Sequence, residues 1–450
     1  MPRSSAAKLL AIALASIFGL GGWLMWRKER DTLQTSGFAN QRLAFLEAEN
    51  RRLLGVVISQ NQAADAIVTA TKRREIEQTV ERLRGLRFQS TVSYREIPRE
   101  ELPKILQQKL AQQVSDRDFG RASTAYALFG LVPPGLDLKK TYLALLGEQV
   151  GAFFDQHEHE LFTFRGQPLS NSQNQVVLAH ELTHALEDQH FHLKNLPLEI
   201  KNNDDRALAA SALVEGDATL VMNQFMVGRL DATAVRETLA AALTTDVRQL
   251  ANAPRFLREN LLFPYLQGQQ FCMTLFESGG WEALGQAFAH PPTCSAQILH
   301  PERYLAVPRW EPAAVEFPEL RVLNEEPIVD NVLGELGLRS VMTVWSKATP
   351  ETLHADGWNG DRYLVYGNRQ AASYVWETNW MDHAQAQNFA DLAQRSAGQA
   401  PGGRRFVGVM YDAAHRRVLV INAHTAQWQE ALRAQFAKAY TPSESSAKTP

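Results

Sequence analysis

The chain has 450 residues, which at ordinary domain sizes predicts two or three folded units. Hydrophobic residues make up 45% of it and charged residues 21%, so there is ample material for a globular core. The net charge is −3 and no basic stretch is long, so nothing favours a nucleic-acid partner. Cys272 and Cys294 form no CxxC pair, which leaves a zinc ribbon unsupported and keeps both a disulfide and two buried thiols open.

The first predicted element is an uncharged apolar run from Leu9 to Trp26. As a helix this run reaches about 27 Å at ~1.5 Å per residue, which is close to the thickness of a bilayer core. The early Ala-x-Ala at Ala13 to Ala15 comes too soon to follow the full apolar region of a cleaved signal peptide. The run therefore predicts a retained membrane anchor over residues 1–30. Basic residues flank it on both sides and leave the orientation open.

Residues 31–87 are rich in Gln, Glu and Arg and predict a helical stalk or linker. A short coiled coil and a solvated helix packed on its own domain both stay open, because the apolar heptads are not sustained. Residues 88–93 predict a strand. Further helices are expected at about 100–114 and 138–147.

Two short strands, at Val150–Phe154 and Glu160–Phe164, are predicted on either side of a polar turn. A mostly helical stretch follows, to about Phe288. The second strand has two interpretations. It is either the free edge along which an extended peptide binds as an added strand, or part of a plain core hairpin.

The composition changes again after Pro308, and residues 309–440 predict a small α+β accessory domain without obvious chemistry. Strands are expected at 362–366, 372–378, 406–411 and 418–422. Helices are expected at 384–395 and 425–438. The tail at 441–450 contains Ser, Pro and Lys and is expected to be disordered.

The motif with the most chemical content is His180-Glu181-Leu182-Thr183-His184. Two imidazoles four residues apart lie on one helix face and are placed to share a zinc ion. Zinc lowers the pKa of a bound water toward ~7, and Glu181 is placed to accept its proton. The bare pattern arises by chance in roughly two of a hundred such chains. Its apolar neighbours favour a buried active-site helix over an amphipathic helix with surface histidines.

A catalytic zinc site requires a third protein ligand, and two residues compete for that position. His190 has the spacing of metzincins, but Glu187 stands where that pattern uses a glycine to turn the chain. Glu215 lies with Asp217 in an apolar helical pattern. Buried carboxylates there require partners, which a metal ion and a ligand imidazole would supply.

HELTHALEDQHF followed by ALVEGDA resembles a group of bacterial gluzincin-like zinc metallopeptidases. The similarity continues in FPYLQGQQF, GGW, QILHPERY and GWNGDRY, and covers most of the chain from Val92 to His424. The chain departs from the group at Cys294-Ser295-Ala296, where Ser-Thr-Glu is expected. The resemblance implies a zincin-like domain at 88–308, Glu215 as third ligand and Asp217 as a carboxylate that supports a ligand. It also implies a catalytic domain outside the cytoplasm, periplasmic or extracellular.

A gluzincin also requires a donor for the oxyanion of the tetrahedral intermediate. The candidates are His300, Tyr304 and Tyr265, and the prediction favours His300. Each also has a structural interpretation: Tyr265 as the anchor of a helix start after Pro264, and His300 as part of a turn. His190 and His192 are expected to be structural histidines.

The sequence therefore predicts an α+β protein with an N-terminal membrane helix, a mainly helical zincin-like catalytic domain and a small C-terminal α+β domain. Its expected activity is zinc-dependent hydrolysis of a peptide or protein substrate, with His180, His184 and Glu215 as ligands. Glu181 is the expected general base. The alternative is a catalytically weak zincin-fold binding or scaffold protein at the membrane. A structural zinc site is disfavoured, because such sites usually have four ligands rich in cysteine.

Overall fold

The computed structural model describes residues 48–49, 51–52, 67–228, 248–317, 326–348, 355–368, 371–397 and 405–437. It divides the chain into two compact units, Met1–Lys72 and Arg73–Pro450. The described residues of the first unit are helical. The predicted anchor at 1–30 and the predicted tail at 441–450 lie outside the described residues. Within the described part of the chain, no helix is both long enough and apolar enough to cross a bilayer.

The second unit is mainly helical with two sheets, which confirms the predicted mixture of helices with a small sheet domain. The helices are α1 67–84, which begins within the first unit, α2 Leu102–Gln113, α3 Asp116–Phe129, α4 Leu138–Gln149, α5 Ser172–Phe191, α6 Asp204–Val227, α7 Arg248–Asn252, α8 Arg255–Ala289, α9 Ser295–Leu299, α10 Pro301–Leu305, α11 Gly334–Ser346, α12 His383–Ser396 and α13 Ala426–Ala437. The strands are β1 Ser93–Ile97, β2 Phe153–Asp155, β3 Glu160–Phe164, β4 Val329–Asn331, β5 Trp358–Tyr366, β6 Ser373–Trp380, β7 Phe406–Asp412 and β8 Arg417–Ala423.

The larger sheet has the order β4-β5-β6-β8-β7, with all neighbours antiparallel. Alternate residues of β6 enter different cores, as the two-residue period of a strand requires. Trp376 packs with Phe389 of α12, whereas Val375 packs with Trp428 of α13. Helices therefore cover both faces of this sheet, which explains why every residue of β6 is buried.

The core of the helical region continues into the C-terminal sheet. One cluster of buried side chains contains Phe129 of α3 and Phe256 of α8 together with Leu338 of α11 and Trp376 of β6. This cluster crosses the position at 308/309 where the sequence predicts a domain boundary. The predicted boundaries themselves stay predictions.

The smaller sheet has the order β1-β3-β2, with β1 parallel and β2 antiparallel to the central β3. The expectation that Glu160–Phe164 forms a free edge is therefore wrong, because this strand has a neighbour on each side. The first strand begins at Ser93 and not at residue 88. The backbone N–H groups of Phe88, Gln89 and Ser90 donate to side chains of Glu81 and Gln189 instead of to a strand.

Helices α5 and α6 begin at sequence-encoded caps. Asn171 accepts from the backbone N–H groups of Gln173 and Asn174, and Asn203 accepts from that of Arg206. Such caps satisfy backbone donors that the first helical turn leaves free.

Helix α6 crosses α8 at a contact between two glycines. A Cβ on Gly216 would lie 2.3 Å from the carbonyl carbon of Gly268, and a Cβ on Gly268 would lie 2.1 Å from the carbonyl oxygen of Ala212. Only glycine permits this approach of two backbones. The crossing places Tyr265, one turn before Gly268, beside Glu215, which precedes Gly216 directly.

Candidate metal centre

Helices α5 and α6 bring His180, His184 and Glu215 together. The Nε2 atoms of the two histidines lie 3.1 Å apart, and Glu215 Oε2 lies 3.2 Å from that of His180 and 3.4 Å from that of His184. In a tetrahedral zinc site with bonds of about 2.0–2.1 Å, the ligand atoms are about 3.3–3.4 Å from one another. The triangle of donor atoms is therefore close to the dimensions of a tetrahedral zinc site, with two of its three sides slightly shorter. Two imidazoles and a carboxylate are also ordinary zinc donors.

Opposite charges stabilise this cluster. Burial acts to raise the pKa of the Glu215 carboxyl, but the charge of His184 and hydrogen bonds to His180 and His184 hold that pKa well below its usual range. Burial acts to lower the pKa of His184, whereas Glu215 and Glu187 raise it well above its ordinary value. Glu215 is thus an anion, as a metal ligand must be.

A buried network supports His184 from behind. Its Nδ1 lies 2.9 Å from Oε2 of Glu187, one turn further along α5. Glu187 and Asp217 are both fully buried, and Arg84 of α1 donates from Nε to Asp217 Oδ2 at 2.8 Å. The guanidinium of Arg84 also stacks on the ring of Trp281, at 4.5 Å. The network therefore ties the side chain of His184 to residues of α1, α5, α6 and α8.

The two carboxyl groups of this network, Glu187 and Asp217, interact with each other. Glu187 Oε1 and Asp217 Oδ1 have no other hydrogen-bond donor among the described residues. Burial raises the pKa of Glu187 to about 8 and also raises that of Asp217, which the charge of Arg84 opposes. Arg84 is the cation that is paired with this buried carboxyl pair, through Asp217. His180 differs, because its buried Nδ1 has no partner among the described residues.

Glu181 lies in the same site, and the edge strand β2 orients it. The backbone N–H of Phe154 donates to Glu181 Oε2 at 2.8 Å. Burial raises the pKa of Glu181, while the charges of His180 and His184 act to lower it. A carboxylate with a raised pKa beside a metal position is suited to accept and return a proton.

Of the three predicted oxyanion donors, the structure places only Tyr265 at this cluster. Its ring stacks against His180 with 6.1 Å between centroids, and its hydroxyl lies near enough to Glu215 to interact with that carboxylate. The charge of Glu215, burial and Glu181 together raise the pKa of Tyr265 well above its ordinary value, so the hydroxyl keeps its proton. Tyr265 lies inside α8, so the expectation of a helix start after Pro264 is wrong.

The structure does not bring His300 to the cluster. Its Nε2 lies 2.9 Å from Glu335 Oε1, and Glu335 is fully buried. The same part of the fold contacts the start of α6, where Asp205 accepts from the N–H of Ser295. Asp205 precedes Glu215 by ten residues, or about 15 Å of helix. The region that contains His300 therefore contacts α6 about 15 Å from the metal cluster.

The remaining histidine and tyrosine candidates also have partners elsewhere. Tyr304 donates to the carbonyl of His290 at 2.8 Å, and His190 Nε2 lies 2.8 Å from the carbonyl of Arg87. His192 has a left-handed backbone and ends α5. Cys272 and Cys294 are free, buried thiols.

Two residues that support the site, Arg84 and Glu187, are not predicted in that role by the sequence. Glu187 is three residues from His184, so helical spacing was a usable signal for their contact. Arg84 pairs with Asp217 across 133 residues of chain, and no local pattern marks that pairing.

Comparison with known proteins reaches only the C-terminal part of the chain. A family model described as a domain of unknown function, DUF8575, matches residues 321–433. This range contains the larger sheet and none of the residues of the metal cluster. No curated protein matches the chain, and no solved structure matches it.

Proposed function

We propose that the chain is a gluzincin-like zinc metallopeptidase that hydrolyses peptide bonds. The observation that carries this proposal is the triangle of His180, His184 and Glu215 donor atoms, 3.1–3.4 Å apart, with the Glu181 carboxylate beside it. Among the described residues the group contains three potential ligands, and three protein ligands are typical of catalytic zinc and not of structural zinc.

His180, His184 and Glu215 would hold the zinc ion, which would lower the pKa of a bound water and polarise the substrate carbonyl. Glu181 accepts the proton of the attacking water and passes it to the leaving amine. The Phe154 N–H holds one oxygen of this carboxylate, so that the other is directed to the reaction. Glu187 fixes the tautomer and orientation of His184 through Nδ1.

We assign the stabilisation of the oxyanion to Tyr265 instead of His300. The Tyr265 hydroxyl is protonated and lies against the metal cluster, and rotation about its side-chain bonds redirects it from Glu215 to a substrate oxygen. His300 is engaged with Glu335.

The edge strand β2 is the proposed backbone contact of the substrate. It has β3 on one side, and the N–H of Phe154 on its other side reaches Glu181. An extended peptide that adds to this edge passes directly in front of the catalytic carboxylate. The membrane anchor at 1–30 and a location outside the cytoplasm stay proposals from the sequence.

The test combines metal analysis with peptide cleavage by matched variants. We expect one zinc per chain in the wild type, in Glu181→Gln and in His190→Ala, and loss of zinc in Glu215→Ala. Glu181→Gln should reduce turnover by at least ~10²–10⁴-fold, the usual contribution of a general base. Loss of zinc in Glu181→Gln would show that this residue is a ligand. Stable zinc binding without cleavage by the wild type would favour the binding or scaffold protein.

A further inference from the structure

A cavity of about 650 Å³ begins at the metal cluster, where Glu215 and Tyr265 line it. It follows one face of α6, because its lining includes Asp204, Leu208, Ser211 and Glu215, which are three or four residues apart. The eleven residues from Glu215 to Asp204 correspond to about 16 Å of helix. The cavity is therefore much longer than one amino-acid side chain.

The walls between these ends are mainly apolar. Leu208, Leu261, Pro264 and Ile328 contribute to them, which suits side chains that lose water on binding. At ~3.3 Å per residue, an extended peptide of about five residues spans the length of the cavity.

The far end of the cavity holds a carboxylate among aromatic rings. Asp204 lines this end and is exposed to solvent, and the hydroxyl of Tyr126 donates to it at 3.1 Å. Tyr142 and Tyr363 line the same end, where burial and, after it, the charge of Asp204 raise the pKa of both phenols. Carboxylates and aromatic faces together favour a cation.

Asp204 differs in its pairing from the other acidic residues of the cavity. Asp330 is paired with Arg362 at 2.7 Å, and Asp118 lies 3.7 Å from Arg121. Glu199 Oε1 lies 2.8 Å from Nε2 of His157. Among the ion pairs of the described residues, none includes Asp204. The lining contains a second cation besides Arg121, which is Lys201, and its charge interacts favourably with the Asp118 carboxylate.

We propose that this cavity is a substrate subsite that takes apolar residues next to the cleaved bond and pairs a substrate cation with Asp204. The proposal rests on the peptidase function proposed above. The cation is an ammonium or guanidinium group and has two sources. A Lys or Arg side chain, about 6 Å long, reaches Asp204 from roughly three residues away, whereas a free N-terminus does so from roughly five.

The experiment measures peptide binding to the zinc-loaded full-length Glu181→Gln variant by fluorescence anisotropy. One series of N-acetylated apolar peptides carries Lys, norleucine or Glu at each position from three to five residues before the cleavage point. A second series has a free or acetylated N-terminus and no Lys. We expect the peptide with Lys at one of these positions to bind about tenfold more tightly than its norleucine counterpart, or the peptide with a free N-terminus to bind about tenfold more tightly than its acetylated counterpart. The series that shows the preference identifies the source of the cation.

Asp204→Asn in the same background should abolish the preference, so that each cationic peptide binds no more tightly than its neutral counterpart. Asp116→Asn is the matched control, because Asp116 is also the first residue of a helix but lies outside the cavity. A second variant, Ser211→Phe, fills the middle of the cavity and should weaken binding of all long peptides while zinc is retained. A preference for cations that survives Asp204→Asn would overturn the proposal, as would its absence in the parent variant.

Cleavage by the wild type separates this inference from the proposed function. If the wild type cleaves peptides but shows no preference for a cation, the proposed peptidase function is retained and the proposed subsite is overturned. Binding of cationic peptides that depends on Asp204, in a protein that never cleaves them, would retain the subsite and overturn the peptidase.

Discussion

Replacement of Arg84 by Met should strongly destabilise the fold. The Arg84 and Asp217 side chains are 1% and 0% exposed, and their ion pair measures 2.8 Å. Removal of one partner of a buried pair leaves an uncompensated charge, which typically costs ~3–5 kcal/mol. Met fills much of the space beside Trp281, so the loss reflects the missing charge more than missing volume. The expected decrease in the free energy of unfolding is therefore about 3–5 kcal/mol, a large part of a typical ~5–15 kcal/mol.

Urea denaturation at pH 7, followed by tryptophan fluorescence, measures this decrease. The protein is kept metal-free with a chelator, because bound zinc would add its own stabilisation to the folded state. The matched control is Arg84→Met with Asp217→Asn, which removes both charges and leaves an amide that donates to Glu187. This double variant should recover most of the lost stability. A decrease below ~1 kcal/mol for Arg84→Met, or a double variant no more stable than the single one, would refute the assigned charge pairing.

Three further predictions concern the helix crossing, the pH dependence and the N-terminus. Gly268→Ala should lower the free energy of unfolding by ~1–3 kcal/mol, because its Cβ meets the backbone of α6. The control Gly120→Ala, whose Cβ meets open space in α3, should raise that free energy by ~0.5–1 kcal/mol. Urea denaturation of both variants measures the two changes. Burial raises the pKa of Asp205 from 3.8 to about 7, so its stabilising contribution is complete below pH ~4 and is lost as the pH rises through 7. Asp205→Asn should therefore gain stability relative to the wild type between pH 5 and pH 8 in metal-free protein, and an unchanged difference would contradict the burial argument. Full-length protein should stay with membranes through alkaline carbonate extraction, and a mature N-terminus well downstream of Trp26 would exclude the anchor at Leu9–Trp26.

Local sequence patterns were sufficient to predict helices and strands whose formation depends on a single segment of the chain. The expected strands and helices after residue 308 occur in the structure with bounds that differ by a few residues, because alternation and helical periodicity are properties of single segments, whereas β4 and α11 were not expected. The sheet at 88–164 was less predictable. Residues 88–90 bond to side chains from other parts of the chain, and the neighbours of β3 depend on pairing with β1, which is 67 residues away in register.

His180, Glu181 and His184 share a buried helix on spacing alone, and the apolar pattern around Glu215 marks a second buried helix with a carboxylate inside it. These features could be identified from the sequence by itself, because an α-helix relates residues three or four positions apart in a fixed way. The arrangement of the two helices could not. It depends on the approach of Gly216 to Gly268, which places Tyr265 rather than His300 at the cluster, and on the reach of Arg84 from α1 to Asp217. Such contacts join residues tens of positions apart, and only close packing of whole helices decides which side chains meet.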